Sequence, residues 1–316
     1  MWDAAAEPVL DALGHTSPPG PEVLPDAWPR VWWAPGGLLG LLPLHAAGHH
    51  DRAGSGRSVM DRVVSSYTPT IRALDHARQQ AAATTAAQRS GTAVAGRSLI
   101  VAMPTTPDLP VPAPLRATAE EAGRLAARLP SPVVLIEPGP QHPGDPERDL
   151  ATIPTRAAVF EQLPHCAIAH FACHGTHDPA DPSASRLLLH DHATEPLTVA
   201  SLALVRLDHA QLAYLSACRT AFTGTQLLDE AIHLGAAFQL AGFPHVIATL
   251  WEIPDNTAAT IADTFYTRLA SRPSDLGNGA LDTDRTAEAL HHTIRDLRDL
   301  HRGLPSLWAA YIHAGA

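Results

Sequence analysis

The sequence contains no lysine: all 22 of its basic residues are arginine. That absence excludes a Walker A phosphate loop and any Schiff-base mechanism, since both need a lysine amine. Cysteine is scarce, with three unevenly spaced in 316 residues. No disulfide framework is expected, and a reducing cytoplasm is the natural setting. No apolar run approaches the roughly 18 residues of a membrane span, and the amino terminus lacks the basic and then apolar pattern of a secretory leader. Positive charge is also short. Thirty-two acidic residues outweigh the arginines to give a net charge of −10, so the chain as a whole is a poor electrostatic match for nucleic acid or an anionic membrane. There is no G-x-S-x-G elbow for a serine nucleophile, and no repeat of about 34 residues.

What is present suffices for a core, since 45% of the residues are hydrophobic. The chain is read as one domain over 1–316, with an N-terminal portion at 1–95 and a core at 96–316. Residues 1–30 hold prolines and little periodicity and are expected to wrap the surface. Residues 30–43 (RVWWAPGGLLGLLP) predict two short strands about a turn at Pro35-Gly36-Gly37. A glycine- and histidine-rich loop at 45–58 leads to a strand at 60–67 and a helix at 69–87, and 84–96 is the linker.

From Ser98 strands and helices alternate. Strands are expected at 98–103, 133–136, 166–172, 211–217 and 245–250, and a closing one at 307–313. Helices are expected after Thr118, whose spacing to Glu121 reads as a capping box, and at 155–163, 227–241, 256–270 and 283–301. Thr198 caps a short helix, 186–190 is one arm of a hairpin, and Gly242 ends the helix before it. Alternation of this kind means a mainly parallel sheet covered on both faces.

The chemistry gathers on residues 211–219 (QLAYLSACR). This apolar run reads as a buried strand with Cys218 at its carboxyl end, where ligand chemistry sits in open α/β sheets. The run 166–172 (CAIAHFA) ends in the same way, in Cys173-His174-Gly175. If these strands are neighbours, His174 and Cys218 come within reach, the layout a cysteine hydrolase needs. Gly175 lets a substrate approach its backbone, whose N–H then faces a developing oxyanion. Arg219 favours a reactive thiolate, while the bland use of Cys218 is as a buried structural cysteine. Ser216 shares the side of Cys218 and lines a pocket. The rival use of His170, Cys173, His174 and His177 is a zinc site, and so a zinc-dependent hydrolase. On a strand, however, His170 and His174 lie roughly 13 Å apart, too far for one metal. His49-His50 and His291-His292 are expected to be exposed pairs, His190 and His192 loop histidines, and Trp32, Trp33, Trp251 and Trp308 core or pocket aromatics.

Residues 170–175 (HFACHG), 182–189 and 215–218 (LSAC) resemble the CHAT domain, a branch of the caspase-like cysteine peptidases that includes relatives of separase. Stretches 37–46, 66–74, 241–255, 265–266 and 308–315 follow as landmarks of the same family in the same order. The resemblance implies a caspase-like three-layer α/β/α sandwich with a mostly parallel central sheet. It also implies a cysteine endopeptidase acting on a protein substrate without a cofactor, with His174 as catalytic histidine and Cys218 as nucleophile. The oxyanion hole is then made by the N–H groups of Gly175 and Cys218. A family alternative is a catalytically silent protein-interaction module. Arg219 departs from the acidic residue common at that place in the family. The acidic loop of Trp251, Glu252 and Asp255, with Asp178, is expected to favour a basic or neutral residue before the cleaved bond; the simpler role of Asp255 is to cap the helix that follows it. Family members are often fused to tetratricopeptide repeats, so a fused or separate regulatory partner is expected.

Overall fold

A computed structural model describes residues 1–36, 39–40, 42–51, 54–90, 96–109, 115–138, 152–176, 178, 180–216, 228–270 and 281–316, with backbone alone at 88–89 and 228–233. Its centre is an eight-stranded sheet. In chain order the strands are β1 (Arg30–Trp33), β2 (Val64–Tyr67), β3 (Arg97–Ala102), β4 (Pro132–Ile136), β5 (Cys166–Ala172), β9 (Leu212–Ser216), β10 (His245–Thr249) and β11 (Tyr311–Gly315). Across the sheet the order is β1-β2-β11-β10-β9-β5-β3-β4. Every junction between described strands is parallel except β10 with β11. Five strands therefore run one way and three the other. A small antiparallel sheet of β6 (Gly175–Thr176), β7 (Arg186–Leu187) and β8 (Leu197–Thr198) follows β5.

The strands form because their runs are apolar and bounded by turns, and strands buried on both faces read as continuous hydrophobic stretches. In β3, Leu99 and Val101 face one layer and Ile100 the other. The first layer holds α5 (Arg156–Gln162), α6 (Val199–Leu202) and α7 (Leu228–Ala241), with Val159, Leu202 and Phe238 packed on Phe171 and Leu215. The second holds α4 (Ala117–Ala126), α8 (Asp255–Ala270) and α9 (Thr286–Leu300), with Leu125, Phe265 and Ile294 packed about Ile168 and Tyr214. The result is the three-layer α/β/α sandwich that the sequence predicts. Among the described residues no helix is long and apolar enough to cross a membrane.

Several local expectations hold for their stated reasons. Thr155 caps α5 by accepting the Ala158 N–H, and Thr198 with Ser201 forms a capping box on α6. Gly242, at φ +127°, follows α7 in a Schellman arrangement: Phe243 N–H donates to Phe238 O and Gly242 N–H to Gln239 O, both at 3.0 Å. A Cβ there would meet Leu207 O at 2.4 Å, so only glycine fits.

Others are corrected. Residues 2–12 are helical, ending in α1 (Glu7–Ala12), and bury Trp2, Ala6 and Leu10 rather than wrapping loosely. The stretch 30–43 yields a single strand among its described residues: β1 pairs in parallel with β2, not with a hairpin partner. Val59–Arg62 is a one-turn helix, α2, before β2, because Ser58 accepts the Asp61 N–H. The helix α3 (Ile71–Arg89) runs through half of the expected linker. The Thr118–Glu121 box does not form, since α4 begins at Ala117. Thr118 lies inside it, its hydroxyl on Leu115 O at 2.8 Å. Residues 305–308 form a short helix, α10, and the closing strand starts only at Tyr311.

Candidate functional site

The pairing between β5 and β9 is parallel and ends with Ala172 level with Ser216. On the other flank of β9, Ile247 of β10 is level with Tyr214, so Thr249 falls beside Ser216 by continued register. Three adjacent strands thus stop at one level, at their carboxyl edge. His174 follows the first stop by two residues, Cys218 the second and Trp251 the third. Cys218 and Arg219 lie outside the described residues, as does His177.

His174 is buried, 4% exposed. The small sheet fixes its backbone: Leu188 N–H donates to His174 O at 2.8 Å. This bond closes the Gly175–Leu187 pair from outside, making it a pair that exchanges no hydrogen bonds of its own. The Gly175 N–H therefore points away from β7, on the open edge of β6. Leu187, Leu189 and Leu197 are buried beneath this sheet and anchor it to the α5–α7 layer.

The side chains before the site divide by strand alternation. His170 faces the α4–α8 layer, with Nε2 2.9 Å from Glu121 Oε1, Nδ1 3.3 Å from Tyr266 Oη and its ring stacked on Tyr214 at 4.9 Å. Cys173 lies in the opposite layer with Phe171. The rival zinc set is therefore split between two layers, and among the described residues no group of three or more His, Cys, Asp or Glu is placed to hold a metal ion. Ser216 lies two residues beyond Tyr214, is 1% exposed, and its Oγ has no hydrogen-bond partner among the described residues. Burial pushes the Cys166 thiol up to about 11, against the lowering effect of Arg97.

The acidic candidates are unequal. Asp178 Oδ1 accepts the N–H groups of Ala180 and Asp181 at 2.9 and 3.1 Å, which folds its own loop. Asp255 is the first residue of α8 rather than its cap: one oxygen accepts the N–H of the next residue, Asn256, at 2.8 Å, and the second accepts the Ala117 N–H at 3.0 Å, capping the neighbouring helix α4 instead. Glu252 is exposed on the same loop. Trp251 is half-buried and donates from Nε1 to Ser306 O at 2.8 Å. It lines a cavity of about 580 Å³ with Pro43, His50, Pro305 and Trp308.

His190 and His192 hold loops, as expected. His190 Nδ1 lies 2.9 Å from Glu137 and His192 Nε2 2.8 Å from Pro107 O, which draws three loops together beside the site. The expected exposed pairs are corrected. His291 is 7% exposed, and both it and His292 pack on Trp28 at 5.2 and 5.5 Å. His50 packs on Trp308 at 4.8 Å. A sequence reading missed Glu121 as the partner of His170, because their separation of 49 residues leaves no local signal.

The family description of the CHAT domain matches residues 1–316. The chain belongs to the CHAT domain family. No curated protein matches it significantly in sequence. Among solved structures, this CHAT domain is similar to separase in the Saccharomyces cerevisiae separase–securin complex: TM-score 0.46, 13% identity, 87% of this chain and 15% of that one. It is also similar to the Arg-specific cysteine proteinase gingipain R (RgpB): TM-score 0.48, 10% identity, 81% of this chain and 55% of that one. The complex of Porphyromonas gingivalis RgpB pro- and mature domains gives the same score and identity, with 56% of that chain covered. The chain thus spans less than two thirds of each.

Proposed function

We propose that this CHAT domain is a cysteine endopeptidase in which Cys218 is the nucleophile and His174 its proton partner. The observation that carries this is the level ending of β5 and β9, with Ala172 in register with Ser216. Neighbouring strands lie about 4.8 Å apart, and two residues span at most about 7 Å. In this proposal Cys218 lies beside the stretch that carries His174. In the reaction the Cys218 thiolate attacks the peptide carbonyl carbon, and the N–H groups of Gly175 and Cys218 stabilise the oxyanion. The His174 imidazolium protonates the leaving amine as the C–N bond breaks. Water, losing its proton to His174, then cleaves the thioester and restores the thiol.

The burial of His174 favours control by a fused or separate partner, a tetratricopeptide-repeat region among the options, that opens the site to a protein substrate. A preference for a basic or neutral residue before the scissile bond rests chiefly on Glu252, since Asp178 and Asp255 serve backbone N–H groups. Peptide-library profiling in which Glu252→Gln leaves a basic preference intact would remove that assignment.

The direct test is iodoacetamide labelling at neutral pH, read by peptide mass mapping. Cys218 is expected to label fastest and to slow by about tenfold or more in His174→Ala. Labelling of Cys218 no faster than that of buried Cys166 and Cys173 would favour a silent interaction module instead.

A further inference from the structure

The amino edge of the sheet carries a second concavity, some 20 Å from the His174 edge, since β5 alone spans seven residues at about 3.3 Å each. Its walls come from the starts of three adjacent parallel strands: Gly96 and Arg97 at β3, His165 before β5, and Arg206, Asp208 and His209 before β9. The volume is about 380 Å³, within the range of sites for small organic ligands.

The electrostatics here run against those of the chain. Net charge is −10, yet two guanidiniums and two imidazoles face a single carboxylate. Several arginines elsewhere are matched with carboxylates: Arg62 with Glu7 and Asp11, Arg285 with Glu288, Arg298 with Asp61. None of the four basic side chains of this cleft has a hydrogen bond or ion pair with another described residue. A β-bulge at Ala167 shifts the β3–β5 register between Arg97 and Ser98, which explains why Cys166 shares a layer with Ala169 and Phe171. Bulges of this kind re-aim side chains and sit beside functional sites. Gly96 abuts the bulge so closely that a Cβ would meet Ala167 Cβ at 2.6 Å, which locks the start of β3 against β5 and sets Arg97 at the rim.

We propose that this cleft binds a small phosphate monoester of about mononucleotide size. Guanidinium forks match phosphate oxygens in charge and in bidentate geometry. In this proposal Asp208, the one carboxylate of the lining, takes a sugar or base hydroxyl or amine, since it would repel the phosphate. The cleft is distinct from the His174–Cys218 edge and does not depend on that assignment.

The test is calorimetric titration of the full chain with adenosine monophosphate and with inorganic phosphate, at ionic strength held constant with chloride. Both probes are expected to bind, the monophosphate more tightly. Arg97→Gln and Arg206→Gln are each expected to weaken both by about tenfold or more, while Asp208→Asn weakens only the nucleotide. All three positions are exposed, so circular dichroism should report unchanged folding. Absence of binding by the wild type, or binding undiminished in the Arg97→Gln/Arg206→Gln double variant, would overturn the proposal. Phosphate binding without nucleotide binding would overturn the monoester assignment.

Discussion

On one side of the β10–β11 seam, five parallel strands bury Leu, Ile, Val and Phe. On the other, β11, β2 and β1 close around half-buried Arg30 and buried Ser66, His313 and His45. The second region is held by a directed polar chain. Arg30 donates to Ser66 Oγ at 3.0 Å, and Ser66 lies 2.9 Å from His313 Nδ1. The other ring nitrogen of His313 is 3.2 Å from His245 Nδ1, and His245 Nε2 is 3.5 Å from Asp284. Arg30 can only donate, so Ser66 Oγ accepts from it, while the roles along the two imidazoles are set by their tautomers. Trp32 adds its own tie, lying between Arg30 and Arg78 at 4.5 Å each and donating to Gly315 O at 2.8 Å. The five-stranded side leans less on such specification, with His170 on Glu121 its buried polar contact in β5, because parallel apolar strands joined by helices have a strong default packing. The three-stranded side joins segments from residues 30, 66 and 313, and directional hydrogen bonds fix which of them meet.

The sharpest way to break the apolar side is Phe238→Ala. Phe238 is fully buried against Phe171 and Phe243, at 5.3 and 5.8 Å. A loss of about 3–5 kcal/mol is expected, measured by urea unfolding. Next comes Arg298→Met. Arg298 and Asp61 are both buried and bonded at 3.0 Å, joining α9 to α2. Removing one partner strands a buried carboxylate at about 3–4 kcal/mol, whereas Arg298→Met with Asp61→Leu should recover much of the loss. Failure of the second change to rescue would mean that the pair is not the source.

Acid separates the two regions at a smaller energy. Burial holds His45 down to about 4, and holds His245, His291 and His313 below the usual histidine value. The unfolded chain therefore binds more protons than the folded one below about pH 6.5. Stability from these groups is present above that pH and is lost as pH falls toward the folded values, to about 4 for His45. Amide exchange at pH 7.5 and 5.5 should show protection falling more in β1, β2 and β11 than in β3 and β5; an equal fall in both would remove the distinction. Smallest is Ser66→Ala, which leaves His313 Nδ1 without its hydroxyl partner. About 1–3 kcal/mol is expected, with exchange faster in β2 and β11 alone.

Legibility follows the same division. The strand Cys166–Ala172 and the helix that Thr155 caps were readable because an apolar run or a capping side chain acts over a few residues. The His174 stretch was readable for the same reason. Residues 30–43 misled because a short strand carries no sign of its partner. A hairpin was the local default, and the observed partner, β2, arrives more than thirty residues later. The Thr118–Glu121 spacing misled because Glu121 has a stronger use in the core, on His170.

By itself, then, the sequence determined the alternating α/β class, the placing of His174 and Cys218 just past two strand-like runs, and the family. Each rests on periodicity, turn chemistry or motif, which act within a few residues. Tertiary structure alone decided that β5 and β9 are level neighbours and that β11 reverses direction beside β10. It also decided that His170 belongs to Glu121, and that Arg97, His165, Arg206 and His209 meet at one edge. These are pairings between distant segments, chosen by the packing of the whole sheet.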